Sequence, residues 1–119
     1  MTSRPAWALP LWIAMYVAIT IGSLLPAHDL PSPVFEGMDK VEHALGYAVL
    51  AAYGTWLYPT RWLRVLVTVI VFGIAIEIAQ GLFTTSRSAD PLDALADAIG
   101  AALAQAAWRA SRHRAEPSP

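Results

Sequence analysis

The residues best suited to chemistry are carboxylates embedded in apolar sequence. Asp93 and Asp97 are four residues apart in the otherwise apolar stretch 90–108, so a helix would place both on one face. Glu77 lies in another apolar stretch, one turn before Gln80. An acid in such surroundings needs a partner or a wet cleft, because facing lipid is strongly unfavourable. These acids are therefore candidates for proton transfer or ligand binding.

A third polar group precedes them in the chain. Asp39, His43 and Tyr47 recur every four residues, which gives one helical face a carboxylate, an imidazole and a phenol. His43 beside a carboxylate suits a general base or a metal ligand, and an interfacial side chain is the alternative. Asp39 followed by Glu42 three residues later also has the pattern of a helix N-cap with a capping box.

A metal site is the less favoured interpretation of these residues. Four of them would offer nitrogen and oxygen ligands suited to Zn²⁺ or Mn²⁺: His43, Asp39, Glu77 and Asp93. However, the chain has no compact spacing such as His-Glu-x-x-His, and it contains no cysteine. The sequence therefore predicts no metal and no other cofactor.

The composition indicates whether the chain folds in water or in a lipid bilayer. Of 119 residues, 56% are hydrophobic and 14% are charged, and the mean hydropathy is +0.47. Soluble domains carry about 25% charged residues. The sequence therefore predicts an all-α, polytopic membrane protein with four transmembrane helices in a compact bundle, and a soluble all-α domain is the alternative. The net charge of −1 argues against a nucleic-acid partner.

The apolar runs predict one transmembrane domain over residues 1–119. Its spans cover about 6–25, 40–58, 62–83 and 91–108, and a basic cytoplasmic tail, expected to fray, covers 109–119. A cleaved signal peptide is the alternative for the first span, although its apolar run is long for one. Trp56 and Tyr58 are expected to anchor the second span at an interface. In the fourth span, a stripe of small residues is expected to pack against a neighbour: Ala94, Ala98 and Ala102.

Basic residues predict the orientation of these spans. With both termini in the cytoplasm, the inner side carries six arginines against Glu116: Arg4, Arg61, Arg64, Arg109, Arg112 and Arg114. The outer side carries Lys40 and Arg87 against eight acids: Asp29, Glu36, Asp39, Glu42, Glu77, Asp90, Asp93 and Asp97. This asymmetry follows the positive-inside rule and predicts an N-in/C-in topology. No polar residue is expected in the inner half of a span, which disfavours a proton-coupled carrier.

This topology predicts that the polar residues converge on one outward-facing pocket. Glu77 and Asp97 each lie about 9 Å below the outer end of their helix, and Gln80 and Asp93 lie about 3 to 5 Å deep. The predicted catalytic residues are Glu77, His43 and Asp93, and the predicted ligand-binding residues are Lys40, Arg87, Gln80, Tyr47, Asp39, Asp90 and Asp97.

Several of these residues also have more specific expected roles. Arg87 is expected to pair with Asp90 or Asp93 or to bind an anionic head group, and an ordinary loop cation is the alternative. Gln80 is expected to orient Glu77. Asp90 before Pro91 could instead be an N-cap, and Gly100 is expected to allow a close helix contact.

The spaced polar pattern resembles the VanZ-like family of small membrane proteins, which is associated with resistance to the glycopeptide teicoplanin. The motif residues are Asp39-Lys40-x-x-His43-x-x-x-Tyr47, Glu77-x-x-Gln80, and Arg87-x-x-Asp90-x-x-Asp93 with Gly100. Asp97 stands where the family pattern has Asn. The resemblance implies a multi-pass protein of the bacterial cytoplasmic membrane that is linked to the cell envelope and to antibiotic resistance.

Two classes of function follow from these expectations. In the first, the pocket binds or acts on a lipid-linked or amphiphilic envelope component, and it is an enzyme if the polar residues transfer protons. In the second, the protein is a non-enzymatic membrane factor whose polar network is structural or binds a partner. The lipid bilayer is the surrounding partner in both.

Overall fold

A computed structural model describes residues 3–115 and 117 of the chain. This part contains four α-helices and no β-strand: α1 Ala8–Leu24, α2 Met38–Leu57, α3 Trp62–Phe83 and α4 Pro91–Ala115. Short 3₁₀ turns cover Ala27–Asp29 and Pro59–Arg61. The all-α prediction is confirmed. The predicted frayed tail is wrong for 109–115, which continue α4, while residues 116, 118 and 119 of that tail lie outside the described residues.

The starts of α2 and α4 differ from each other. Gly37 precedes α2 with a φ of +85°, a conformation that glycine adopts readily. Because the helix begins at Met38, Asp39 lies inside its first turn, and the prediction that Asp39 is an N-cap is wrong. Asp90, in contrast, accepts a hydrogen bond from the Leu92 N–H at 2.9 Å and caps α4.

The α2 and α4 helices pack together more extensively than any other pair. Gly100 makes this possible, because a Cβ at that position would overlap the backbone of Ala44. The close contact expected at Gly100 is therefore confirmed. The face of α4 that is buried carries polar as well as small residues: Asp93, Asp97, Gly100, Ala101 and Gln105.

The predicted packing stripe of Ala94, Ala98 and Ala102 is wrong. Ala94 and Ala98 are half-buried and Ala102 is exposed, so the stripe borders the main contact and does not form its centre. Rotating α4 to bury these alanines would expose Asp93 and Asp97, which instead meet polar groups of α2. Satisfying two carboxylates outweighs the small packing gain from three methyl groups.

The α1 helix is attached to the other helices by side chains that bond to backbone carbonyls. The Trp12 indole N–H donates to Leu50 O at 2.9 Å, and the Gln80 amide donates to Ser23 O at 2.9 Å. Tyr53 donates to Ala8 O at the same distance. These bonds join both ends of α1 to α2 and α3.

The helices present large apolar side chains outward. These recur along every helix, for example Ile13, Val17 and Ile21 on α1, Leu45 and Val49 on α2, Val67 and Val71 on α3, and Leu95, Ile99 and Leu103 on α4. Within the described residues, one helical stretch is long and apolar enough to cross a bilayer, namely Pro59–Phe83, which has 25 residues and contains an 18-residue window with a mean hydropathy of 2.2. The α1 helix is apolar but 17 residues long.

The two ends of the bundle differ in chemistry. We call the end with Leu24, Met38, Phe83 and Pro91 the site end, and the opposite end the arginine end. At the arginine end, three guanidinium groups lie 4.4 to 5.1 Å from tryptophan rings, in the pairs Arg4–Trp56, Arg109–Trp62 and Arg112–Trp108.

A buried polar pair lies in the half of the bundle nearer the arginine end. Gln105 donates a hydrogen bond to the Thr55 hydroxyl, and the two side chains are 3% and 0% exposed. The expectation that this half contains no polar residue is therefore wrong.

Candidate functional site

Three helix ends converge at the site end of the bundle. They are the first turns of α2 and α4 and the last turns of α3, which contribute a shared cluster of polar side chains: Asp39, Lys40, His43, Tyr47, Glu77, Asp90, Asp93 and Asp97. Glu77 is 5%, Asp93 7% and Asp97 1% exposed, so the acids of α3 and α4 are enclosed by the neighbouring helices.

Lys40 joins α2 to the start of α4. Its ammonium donates to Asp90 Oδ2 at 2.8 Å and to Asp93 Oδ1, and it lies 3.5 Å from Asp39 Oδ2. The hydrogen bond from Lys40, followed by that from the Leu92 N–H, lowers the pKa of the Asp90 carboxyl. Asp90 is therefore both a helix cap and an ion-pair partner, and the two predicted roles coexist.

His43 lies at the centre of the cluster. Its Nδ1–H donates to Asp97 Oδ1 at 2.8 Å, while its Nε2 lies 3.7 Å from both Asp39 Oδ1 and Asp93 Oδ2. The ring stacks nearly parallel to Tyr47, with centroids 6.4 Å apart and an interplanar angle of 5°. Asp97 fixes the orientation of the imidazole and leaves Nε2 facing two carboxylates.

Glu77 connects α3 to the cap of α4. Its Oε2 accepts the backbone N–H of Asp90 at 2.9 Å. Gln80 does not orient Glu77, because its amide donates to Ser23 O on α1, and that prediction is wrong. Within the described chain, three buried oxygens near His43 have no hydrogen-bond partner: Tyr47 OH, Glu77 Oε1 and Asp97 Oδ2. Unpaired buried oxygens of this kind call for an added proton, water or cation.

Arg87 lies apart from the carboxylates with which it was expected to pair. Its guanidinium donates to Leu25 O at 3.2 Å and, within the described chain, forms no ion pair with Asp90 or Asp93. Lys40 occupies those partners instead. Arg87 is held beside the end of α1, and among the described residues its guanidinium bonds there only to a neutral carbonyl.

A cleft of about 260 Å³ lies between α1 and α2 beside this cluster. Apolar walls come from Ile19 and Leu30, and Gly22 and Gly46 leave open space because nothing lies within 4 Å of a Cβ at either position. The polar lining consists of Ser23, Asp39, Glu42, His43, Tyr47 and Arg87. Thus the polar cluster and Arg87 are parts of the walls of one opening.

Sequence reasoning missed some of these features. Asp97, which departs from the Asn of the family pattern and was predicted only as a ligand-binding residue, is the most deeply buried acid of the cluster and holds His43. Sequence reasoning also passed over Glu42, Gly22 and Gly46 as cleft residues. Two glycines inside apolar helices were a signal that could have indicated an opening.

The fold and site define an all-α protein with a buried polar cluster at one end. Comparison of the chain with protein-family models, curated proteins and solved structures finds no match.

Proposed function

We propose that the protein is a VanZ-like integral membrane protein with four spans, N-in/C-in, in the bacterial cytoplasmic membrane. We further propose that its outward-facing site binds an anionic amphiphile of the cell envelope. The outward apolar side chains of all four helices support membrane insertion. Helix length supports it too, because 17 residues in α1 and 20 in α2 extend about 26 and 30 Å, against a hydrocarbon thickness of about 30 Å.

The difference between the two ends supports the orientation. Arginines beside tryptophans are typical of the cytoplasmic interface, where cationic heads reach water and aromatic rings lie at the boundary. The arginine end has three such pairs. The site end then faces the outside, where envelope components are assembled, and the cleft is reached from that side.

The cleft has features that suit an amphiphile. Arg87 offers a guanidinium whose other donors are available for a phosphate or carboxylate head group. Ile19 and Leu30 provide an apolar wall along which a tail can lie. The resemblance to the VanZ-like motif extends this proposal to teicoplanin resistance, with which that family is associated.

The observation that carries the proposal is the His43–Asp97 pair on the wall of this cleft. A buried carboxylate that holds Nδ1–H leaves Nε2 as the basic nitrogen, which is the arrangement of a general base. If the protein is an enzyme, His43 takes a proton from the bound molecule or from water, and Asp93 and Glu77 accept or return protons beside it.

Ligand binding is tested with dodecyl phosphate as an anionic amphiphile and dodecanol as its neutral counterpart. In dodecyl maltoside micelles, dodecyl phosphate should raise the Tm of the wild-type chain, and Arg87→Gln should abolish the shift. Arg61→Gln, at the arginine end, is the matched control and should keep it. Equal shifts in the two variants, or an equal shift with dodecanol, would refute the anionic-site proposal.

A second candidate is a non-enzymatic membrane factor whose polar network is structural. The observation that favours it is the connection of three helices through Lys40, Asp90 and Glu77. The candidates are separated by expressing Glu77→Gln, Asp93→Asn and His43→Gln in bacteria and measuring teicoplanin susceptibility, with His113→Gln as the control. Loss of the phenotype at normal protein level and Tm favours the pocket, whereas lowered Tm with full activity favours the structural role.

A further inference from the structure

The acceptor atoms around His43 form an arrangement that side-chain hydrogen bonds do not explain. With the Nδ1–H of His43 held by Asp97, Nε2 points toward Asp39 Oδ1 and Asp93 Oδ2, and in the neutral imidazole this nitrogen carries the lone pair. Both oxygens lie 3.7 Å from Nε2, beyond the hydrogen-bond range of about 2.7 to 3.2 Å. Three acceptors therefore converge on one space, and ligand atoms of the three residues lie within 4.8 Å of one another.

The nearby lysine does not fill this space. Lys40 approaches Asp93 through Oδ1 and Asp39 through Oδ2, and in each case the other oxygen faces His43. Asp93 is 7% exposed, and its Oδ2 accepts no hydrogen bond within the described chain. A nine-tenths buried carboxylate thus directs an unpaired oxygen at an unpaired imidazole nitrogen.

The distances match the dimensions of a small transition-metal ion. At a metal–ligand distance of about 2.0 to 2.1 Å, tetrahedral ligands are separated by about 3.3 to 3.4 Å. The observed 3.7 Å separations need an inward shift of a few tenths of an ångström by both carboxylates, a small rotation for the half-exposed Asp39 side chain and for the Asp93 carboxylate. A carboxylate behind a metal-bound histidine is also the usual second-shell arrangement, and Asp97 occupies that position.

Charge balance also favours a cation. Five carboxylates belong to the cluster, namely Asp39, Glu77, Asp90, Asp93 and Asp97, and Lys40 is the one lysine or arginine that contacts them within the described chain. Glu77 Oε1 and Asp97 Oδ2 are buried without a partner close to His43. Buried carboxylates are stable when paired with cations, and a divalent ion supplies two charges at one point.

We propose that His43 Nε2, Asp93 Oδ2 and Asp39 Oδ1 bind a divalent transition-metal ion of the Zn²⁺ class, with Asp97 as the positioning residue behind His43. This reverses the expectation of no metal and rests on the cleft of the proposed function. It makes His43 Nε2 a ligand in place of a general base, because a metal-bound nitrogen has no lone pair left to accept a proton. The remaining coordination position faces the cleft, because Asp39 and His43 both line it. The ion would offset the repulsion that Asp39 and Glu42 exert on an anionic head group.

Zinc binding to the full chain tests this inference in the absence of any amphiphile. The protein, purified in dodecyl maltoside without a polyhistidine tag and treated with EDTA, is titrated with Zn²⁺ against a chromophoric chelator. One equivalent should bind, with Mn²⁺ weaker and Mg²⁺ much weaker. Co²⁺ should give visible absorption bands of a low-coordinate nitrogen and oxygen site. Absence of a stoichiometric Zn²⁺ site in the wild-type chain would overturn the proposal.

Variants locate the site. Asp39→Asn removes a ligand whose side chain is 57% exposed, so the fold is preserved, and it should weaken Zn²⁺ at least about tenfold. Glu42→Gln makes the same charge change on the same helix and should leave the affinity within about twofold. Asp97→Asn should weaken binding by about 10- to 100-fold and alter the Co²⁺ spectrum. Equal affinity in Asp39→Asn and wild type would overturn the site.

The zinc-binding proposal and the amphiphile-binding proposal can be refuted independently of each other. If the chain binds dodecyl phosphate through Arg87 but binds no zinc, the proposed function is supported and the metal site is refuted. If the chain binds zinc at His43 but does not respond to dodecyl phosphate, the metal site is supported and the proposed anionic ligand is refuted.

Discussion

Substituting Gly100 by alanine should separate α2 from α4 at the level of the site. A Cβ at position 100 would lie 2.7 Å from the Ala44 carbonyl carbon and 2.8 Å from its Cα, whereas ordinary contacts are 3.4 to 4 Å. These are backbone atoms of a helix and cannot rotate away. The helices must therefore part by roughly 1 Å near the contact.

The expected loss of stability follows from two opposing effects. Overpacking of this kind costs about 1 to 3 kcal/mol, and replacing a helical glycine by alanine returns about 0.5 to 1 kcal/mol. We expect Gly100→Ala to lower the free energy of unfolding by up to about 2.5 kcal/mol. The same movement should lengthen the His43–Asp97 bond, now 2.8 Å, because Ala44 and His43 are adjacent.

The assay compares two glycines within the same bundle. Gly46 lies in α2 with nothing within 4 Å of a Cβ, so Gly46→Ala should stabilise the chain by about 0.5 to 1 kcal/mol. Reversible unfolding in mixed micelles measures both variants, and the histidine ¹⁵N shifts report on the His43 bond. A Gly100→Ala chain as stable as Gly46→Ala, with unchanged His43 shifts, would refute the close packing described here.

Substitutions at three further positions test individual connections. Trp12→Phe removes the indole N–H that donates to Leu50 O, and Gln80→Leu removes the amide that donates to Ser23 O. Each should lower the free energy of unfolding by about 0.5 to 1 kcal/mol, and no change in either would show that these bonds do not hold α1. Asp90→Ala should cost about 1 kcal/mol through the lost cap, in addition to the lost ion pair with Lys40, and Asp90→Ser should recover only the capping part. Equal stability of the alanine and serine variants would contradict the capping role.

Much of the fold could be predicted from the sequence because apolar runs and helix breakers are local signals. Residues 62–83 were predicted as one span and form one helix. Spacing also predicted that Asp93 and Asp97 share a face and that Gly100 allows close contact. Such features depend on the period of a single helix, which the sequence displays directly.

The partners of the polar residues could not be predicted in the same way. Arg87 and Gln80 donate hydrogen bonds to the backbone carbonyls of Leu25 and Ser23. Because every residue has a backbone carbonyl, the residue type does not indicate which one will accept a hydrogen bond. The rotation of α4 depends on which groups of α2 meet it. Lys40 bonds to Asp90 and Asp93, a pairing between residues about fifty positions apart that no local spacing encodes.

The central claim is that the polar cleft of a four-span bundle opens to the outside of the membrane. The chain has no cysteine, so single cysteines can be introduced without removing others. In intact spheroplasts, a membrane-impermeant maleimide should label Gly46→Cys in the cleft and Thr85→Cys in the loop before α4. Thr60→Cys, in the turn between α2 and α3, should be labelled only after permeabilisation. Labelling of Thr60→Cys from outside, with Gly46→Cys and Thr85→Cys protected, would contradict the account.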